Sequence, residues 1–118
     1  MICAGGTNFP DKPMLEGGAK TWTDRIFTLS PGENGWTEAG TLPAPYAYGA
    51  SASTREGLLC IGGCGKEGHR KDVYLLSTAD GAVTVTPFPP LPIALAYTAA
   101  AVLDGKAASI TRSGVYTV

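Results

Sequence analysis

Between Thr7 and Lys20 the chain reads Thr7-Asn8-Phe9-Pro10-Asp11-Lys12-Pro13-Met14-Leu15-Glu16-Gly17-Gly18-Ala19-Lys20. This run holds an amide, two carboxylates, two ammonium groups and an aromatic ring, all suited to a polar ligand. A second polar run, Cys64-Gly65-Lys66-Glu67-Gly68-His69-Arg70-Lys71, is richer in cations. Arg70 offers a planar fork for a carboxylate. Tyr46 and Tyr48 stand two residues apart, a spacing that sends both rings to one side of a strand. A phenol there can stack on a sugar ring and donate a hydrogen bond; packing between sheets is the competing role for both tyrosines. The ligand-binding candidates are therefore Asn8, Glu16, Lys20, Tyr48 and Arg70, against the alternative that both polar runs are solvated loops. No catalytic acid or base is assigned, because His69 alone is weak grounds for one. Cys60, Cys64 and His69 lack a fourth ligand and match no zinc spacing. Neither a metal nor a cofactor is expected.

The elements that must hold these residues come from an internal repeat. Ile2-Cys3-Ala4-Gly5-Gly6 returns as Leu59-Cys60-Ile61-Gly62-Gly63. Ile26-Phe27-Thr28-Leu29-Ser30 returns as Val73-Tyr74-Leu75-Leu76-Ser77, with Asp24 and Asp72 ahead of the two copies. Leu42-Pro43-Ala44-Pro45-Tyr46-Ala47-Tyr48 returns as Leu91-Pro92-Ile93-Ala94-Leu95-Ala96-Tyr97. Short apolar runs closed by glycine pairs read as strands entering tight turns. A period of roughly 50 residues built this way is the kelch signature of a β-propeller. The expected fold is all-β, with antiparallel four-stranded sheets and about two of an expected six blades.

The repeat assigns residues 1–39 to an incomplete blade, 40–88 to a complete one, 89–106 to the start of a third, and 107–118 to an off-pattern tail. Strands are expected near 1–6, 21–29, 46–53, 58–62, 72–77, 82–87 and 97–103, with a short outer strand at Trp36-Thr37-Glu38. Trp36 takes the place where kelch repeats usually pack a tryptophan between blades. In a four-stranded blade the loop from strand two to strand three shares a face with the link into the next blade. Both polar runs are such loops, and the first is the longer. Long loops in compact domains tend to be functional. After Asp104-Gly105-Lys106 the next aliphatic run and Gly-Gly fail to appear, which a truncation or frame change would explain, as would a strand of a different kind, since Val115 to Val118 is still β-prone.

Composition narrows the classes. A net charge of −1 gives no footprint for nucleic acid or an acidic membrane surface. No apolar run of 18 or more residues is present, so no membrane span is expected. Met1 leads directly into a strand, with no signal peptide visible, and the compartment stays open. The two equivalent cysteines, Cys3 and Cys60, read as small buried hydrophobes.

Ala4-Gly5-Gly6-Thr7-Asn8-Phe9-Pro10, Glu16-Gly17-Gly18-Ala19-Lys20, Asp24-Arg25-Ile26-Phe27 and Trp36 together resemble the bacterial N-acetylneuraminate epimerases, kelch-type sialate mutarotases. Leu42 to Gly49 and Leu58 to Gly63 continue the resemblance, which runs over about residues 1–106. It implies a six-bladed propeller interconverting the α and β anomers of sialic acid, in a family often periplasmic or secreted. The family's catalytic Glu and Arg sit on a two-to-three loop of another blade. Here Cys64 stands where that pattern has Glu, and Arg70 stands at the Arg position. The resemblance thus implies a piece of such an enzyme, with sialic acid as the intact parent's ligand, inactive alone and self-associating through unsealed blade faces. A non-catalytic kelch interaction module is the alternative. A kelch-type copper oxidase is poorly served by one histidine.

Overall fold

Leu58-Leu59-Cys60-Ile61 leaves no polar position, and a strand of that kind needs cover on both faces. The computed structural model, which describes residues 1–111 and 114–117, provides it. In chain order the strands are β1 (Ile2–Ala4), β2 (Thr7–Asn8), β3 (Thr21–Trp22), β4 (Arg25–Thr28), β5 (Thr37–Thr41), β6 (Ala50–Ser53), β7 (Leu58–Ile61), β8 (Cys64–Gly65), β9 (Gly68–His69), β10 (Val73–Ala79), β11 (Ala82–Phe88), β12 (Ala99–Leu103), β13 (Lys106–Thr111) and β14 (Gly114–Thr117). A single 3-10 turn, Met14–Glu16, is the sole helical element among the described residues. The protein is all-β.

Three antiparallel sheets stand in a row: β1-β4-β5, then β6-β7-β10-β11, then β12-β13-β14. Two small hairpins, β2-β3 and β8-β9, project from the ends of the first two. The second sheet is the expected four-stranded blade. Its alternate side chains divide between its neighbours. Leu58, Cys60, Tyr74, Leu76, Val83 and Val85 pack with Ile2, Ala4 and Ile26 of the first sheet. Leu59, Ile61, Val73 and Leu75 pack with Ala100, Ala107 and Tyr116 of the third. Ile26, Ile61, Leu76 and Val73 are the largest fully buried side chains. The sheets stack as successive blades without closing a ring.

The repeated glycines make the joint between sheets. The N–H of Gly6 donates to the carbonyl of Tyr46 at 3.0 Å, and that of Gly63 donates to Leu95 at 2.7 Å. These acceptors lie on the two copies of the Leu-Pro segment leading into the next sheet. Gly5 and Gly62 have φ of 70° and 63°. A Cβ on either would overlap the same Tyr46 or Leu95 carbonyl oxygen. Leu42 and Leu91, both buried, close each joint from the side. Only glycine meets both demands, a left-handed backbone and room for the neighbouring carbonyl. The backbone also aligns the repeat more finely. The N–H of Gly5 bonds to the Arg25 carbonyl where that of Gly62 bonds to Asp72. Arg25, not Asp24, is therefore the structural counterpart of Asp72.

Several expected strands are shorter than their apolar runs. Gly5 and Gly6 end β1 early, because both have positive φ. The 46–53 run becomes a strand only from Ala50, and the 97–103 run only from Ala99. Tyr48 and Tyr97 are the cause, with left-handed φ of 61° and 57°. This kink also cancels the alternation that would put Tyr46 and Tyr48 on one side. Tyr46 is buried between the first two sheets, against Tyr74. Tyr48 turns outward toward the loops.

Trp36 departs from its expected burial. It lies just before β5 and is 48 % exposed. Glu38, two residues on, pairs with Phe27, whose neighbour Ile26 faces the second sheet. That parity places Trp36 on the opposite side of the first sheet, which no described residue covers with another sheet. Cys3 is exposed on that side too, while Arg25 lies over the Phe27 ring and forks onto Glu38 at 3.0 and 2.7 Å. At the other end of the row, Ala99, Ala101, Leu103 and Val115 are exposed on the third sheet. The tail loses the sequence pattern yet keeps the pairing. β13 and β14 extend β12 into a three-stranded meander through a turn at Asp104-Gly105. Arg112, Ser113 and Val118 lie outside the described residues.

Candidate functional site

The Thr7–Lys20 run is not a bare excursion. Thr7 pairs with Trp22 and Asn8 with Thr21 at its base, and the 3-10 turn folds its tip. Gly18 lies so close to the Lys12 carbonyl that a side chain there would collide. The second run folds likewise, with Cys64 opposite His69 and Gly65 opposite Gly68. Ala47 bridges Cys64, and Arg70 bridges Leu95. Both hairpins and both Leu-Pro lead-ins therefore meet at one face.

At that face Lys20 and Trp22 project together, two residues apart on one strand edge. The Lys20 ammonium sits 4.8 Å from the centre of the Trp22 ring and 4.6 Å from that of Tyr48. The Trp22 and Tyr48 rings meet edge to face at 5.9 Å. Tyr48 and Tyr97 stack at 4.8 Å, and the Tyr97 N–H donates to the Tyr48 carbonyl at 2.8 Å. His69 approaches Tyr97 edge-on at 6.0 Å. The Tyr48 hydroxyl lies 3.1 Å from that of Thr7. Two aromatic residues at equivalent repeat positions thus hold left-handed backbones, a conformation costing about 1–3 kcal/mol at each. Both carry their rings into the same cluster.

The ligand candidates separate on this geometry. Lys20 and Tyr48 touch. Arg70 lines a groove of ≈ 520 Å³ with Lys20, Trp22, Pro45, Lys66 and Glu67. Its Nε lies 2.6 Å from the Asp72 carboxylate, and its guanidinium 5.7 Å from the Tyr46 ring centre. Asn8 is exposed on β2 and uses its side-chain oxygen to accept from the Thr21 hydroxyl. Glu16 is exposed on the hairpin tip, with no ion pair or side-chain hydrogen bond among the described residues. Sequence reading missed Thr7, Trp22 and Tyr97 as site residues. The nearness of Trp22 to Lys20 in sequence and the repetition of Tyr48 as Tyr97 carried the signal.

The three cysteines do different things. Cys60 turns inward between the first two sheets, and burial pushes its thiol up to about 11. Cys64 faces His69 across a hairpin instead. No group of three or more metal-ligating side chains forms among the described residues.

The phenols make a pH prediction. The Lys20 hydrogen bond, and then that of Thr7, lower the Tyr48 pKa below the ordinary tyrosine value. The same bond to Tyr48 raises Lys20. Burial raises Tyr46 well above its ordinary value. A lowered folded pKa means that Tyr48 adds stability above the unfolded phenol range near about pH 10, lost as pH falls through its folded value. A raised one means that Tyr46 adds stability below that range, lost as pH rises. In an alkaline titration followed by tyrosinate absorbance, Tyr48 should ionise first and Tyr46 only as the fold opens. Tyr48→Phe should delete the earliest step. An unchanged early step in that variant would contradict the assignment.

The fold and this face define a class: an all-β repeat protein of stacked antiparallel sheets, its polar hairpins gathered at one end. Sequence comparison with curated proteins gives the relation. The chain is 34% identical over 95 residues to the N-acetylneuraminate epimerases of Brucella suis and Brucella melitensis. It is 34% identical over 96 residues to that of Vibrio cholerae. Each match covers 72% of this chain and 24% of the relative. The chain belongs with the N-acetylneuraminate epimerases over this shared stretch, about a quarter of their length. No family model matches it.

Proposed function

We propose that this chain forms part of a six-bladed kelch propeller that interconverts the α and β anomers of N-acetylneuraminate, and that it is inactive by itself. The observation that carries the reading is the Lys20 ammonium held between the Tyr48 and Trp22 rings where the two hairpins meet. Cations, phenols and aromatic faces on one side suit a carboxylated sugar. Anomer exchange takes the anomeric hydroxyl proton to a base and gives the ring oxygen a proton from an acid, as the bond between that oxygen and the anomeric carbon breaks. Reclosure on the other face reverses both transfers. Acid and base must be held in register, and a displacement of about 1 Å costs on the order of a hundredfold in rate. With Cys64 where the family pattern has Glu, this stretch supplies binding groups rather than that pair. Added to freshly dissolved N-acetylneuraminate, the chain alone should leave the anomeric proton NMR signals changing at the spontaneous rate. Acceleration would contradict its inactivity.

A non-catalytic interaction module is the second reading, favoured by the exposed Met14 and Leu15 at the hairpin tip, Leu15 being 94 % exposed. Either way, the uncovered apolar faces of the first and third sheets should drive self-association. Sedimentation should find oligomers or aggregates. A monomer with a sharp cooperative melt would contradict that.

A further inference from the structure

We propose that Tyr97 and Lys20 form a two-point subsite for a carboxylated pyranose, the Tyr97 ring taking the sugar's apolar face and the Lys20 ammonium its carboxylate. This rests on the sugar-binding reading above and assigns the anion to a different residue from Arg70. Arg70 already holds a carboxylate, that of Asp72, at 2.6 Å. A ligand's carboxylate would have to share that guanidinium with Asp72, whose negative charge already offsets it. Lys20 is held in place without a carboxylate partner among the described residues. The Trp22 and Tyr48 rings hold its ammonium, at 4.8 and 4.6 Å. A cation so placed keeps donors free for an incoming anion.

The platform is the outermost ring of the stack. Tyr48 meets the Trp22 edge, stacks with Tyr97 and lies near the Lys20 ammonium. Tyr97 contacts Tyr48 and the His69 edge, yet it is 66 % exposed. An exposed aromatic of this size ordinarily gains by covering its face. Here a left-handed backbone holds it out, and strain of that kind persists where the surrounding structure over-determines it. One stacking step separates this ring from the one under Lys20.

The test compares N-acetylneuraminate with its neutral methyl ester, titrated into the chain and followed by ligand-observed NMR. The acid should bind about fivefold more tightly than the ester, the size of one partly exposed charge pair. Lys20→Met should level the two by weakening the acid alone. Tyr97→Ala should weaken both ligands about threefold or more. Arg70→Gln should leave the acid-to-ester ratio near its starting value. A preference for the acid that survives Lys20→Met, or vanishes in Arg70→Gln, overturns the Lys20 assignment while the sugar-binding reading stands. Undiminished ester binding in Tyr97→Ala overturns the platform. Binding of neither sugar by the folded chain overturns both this subsite and the sugar reading beneath it.

Discussion

Gly62→Ala should lower the unfolding free energy by about 3 kcal/mol, as backbone strain and a steric collision add. The residue has φ of 63°, and a Cβ there would overlap the Leu95 carbonyl oxygen. That oxygen also accepts the Gly63 N–H at 2.7 Å, so moving it away breaks the joint to the third sheet. Gly81 supplies the control. Its φ is 79°, but nothing lies within 4 Å of its absent side chain. Gly81→Ala should cost about 1 kcal/mol, the left-handed penalty alone. Urea denaturation of the two variants separates strain from collision, and equal losses would contradict the joint.

Leu76→Ala should be comparably damaging, at about 3 kcal/mol. The side chain is fully buried between the first and second sheets, beside Ile26, Leu42, Tyr46 and Tyr74. Its removal leaves a cavity bounded by two sheets, neither of which collapses freely. Leu103→Ala removes a side chain of the same size from the third sheet's uncovered face, where it is 76 % exposed. That change should stay within about 0.5 kcal/mol. The contrast, read from urea midpoints, tests which faces of the row are sealed. A large loss at Leu103 would mean that its face is covered.

The repeat made the architecture legible before any coordinates. Gly-Gly after an apolar run marked strands entering tight turns, and the joints between sheets form at those glycines. Strand ends were less legible, because the backbones of Tyr48 and Tyr97 break a pattern that their β-prone side chains continue. A tyrosine in a run of alanines and serines reads as strand, and nothing in residue type signals a positive φ. Trp36 shows another limit. A tryptophan's preference for burial is met only if a surface exists to cover it, and the first sheet's outer face has none among the described residues.

The candidate site was only partly legible. Lys20 and Tyr48, chosen from chemistry and loop position, meet in the structure. Asn8 and Glu16 carry the right groups, but one serves its own hairpin and the other stands on the tip. Residue type cannot show that Asp72 has already engaged Arg70, since that pairing depends on where the chain leaves the second hairpin. Trp22 was overlooked because an aromatic at the base of a strand is ordinarily read as core.

The central claim is that this stretch supplies a working part of a sialic acid anomer site. The most direct test replaces the matching quarter of a full-length N-acetylneuraminate epimerase with residues of this chain. Anomer exchange is then followed by proton NMR from freshly dissolved N-acetylneuraminate. The chimera should speed exchange above the spontaneous rate, and Lys20→Met within it should weaken its use of the sugar. A folded chimera that leaves the spontaneous rate unchanged would contradict the claim.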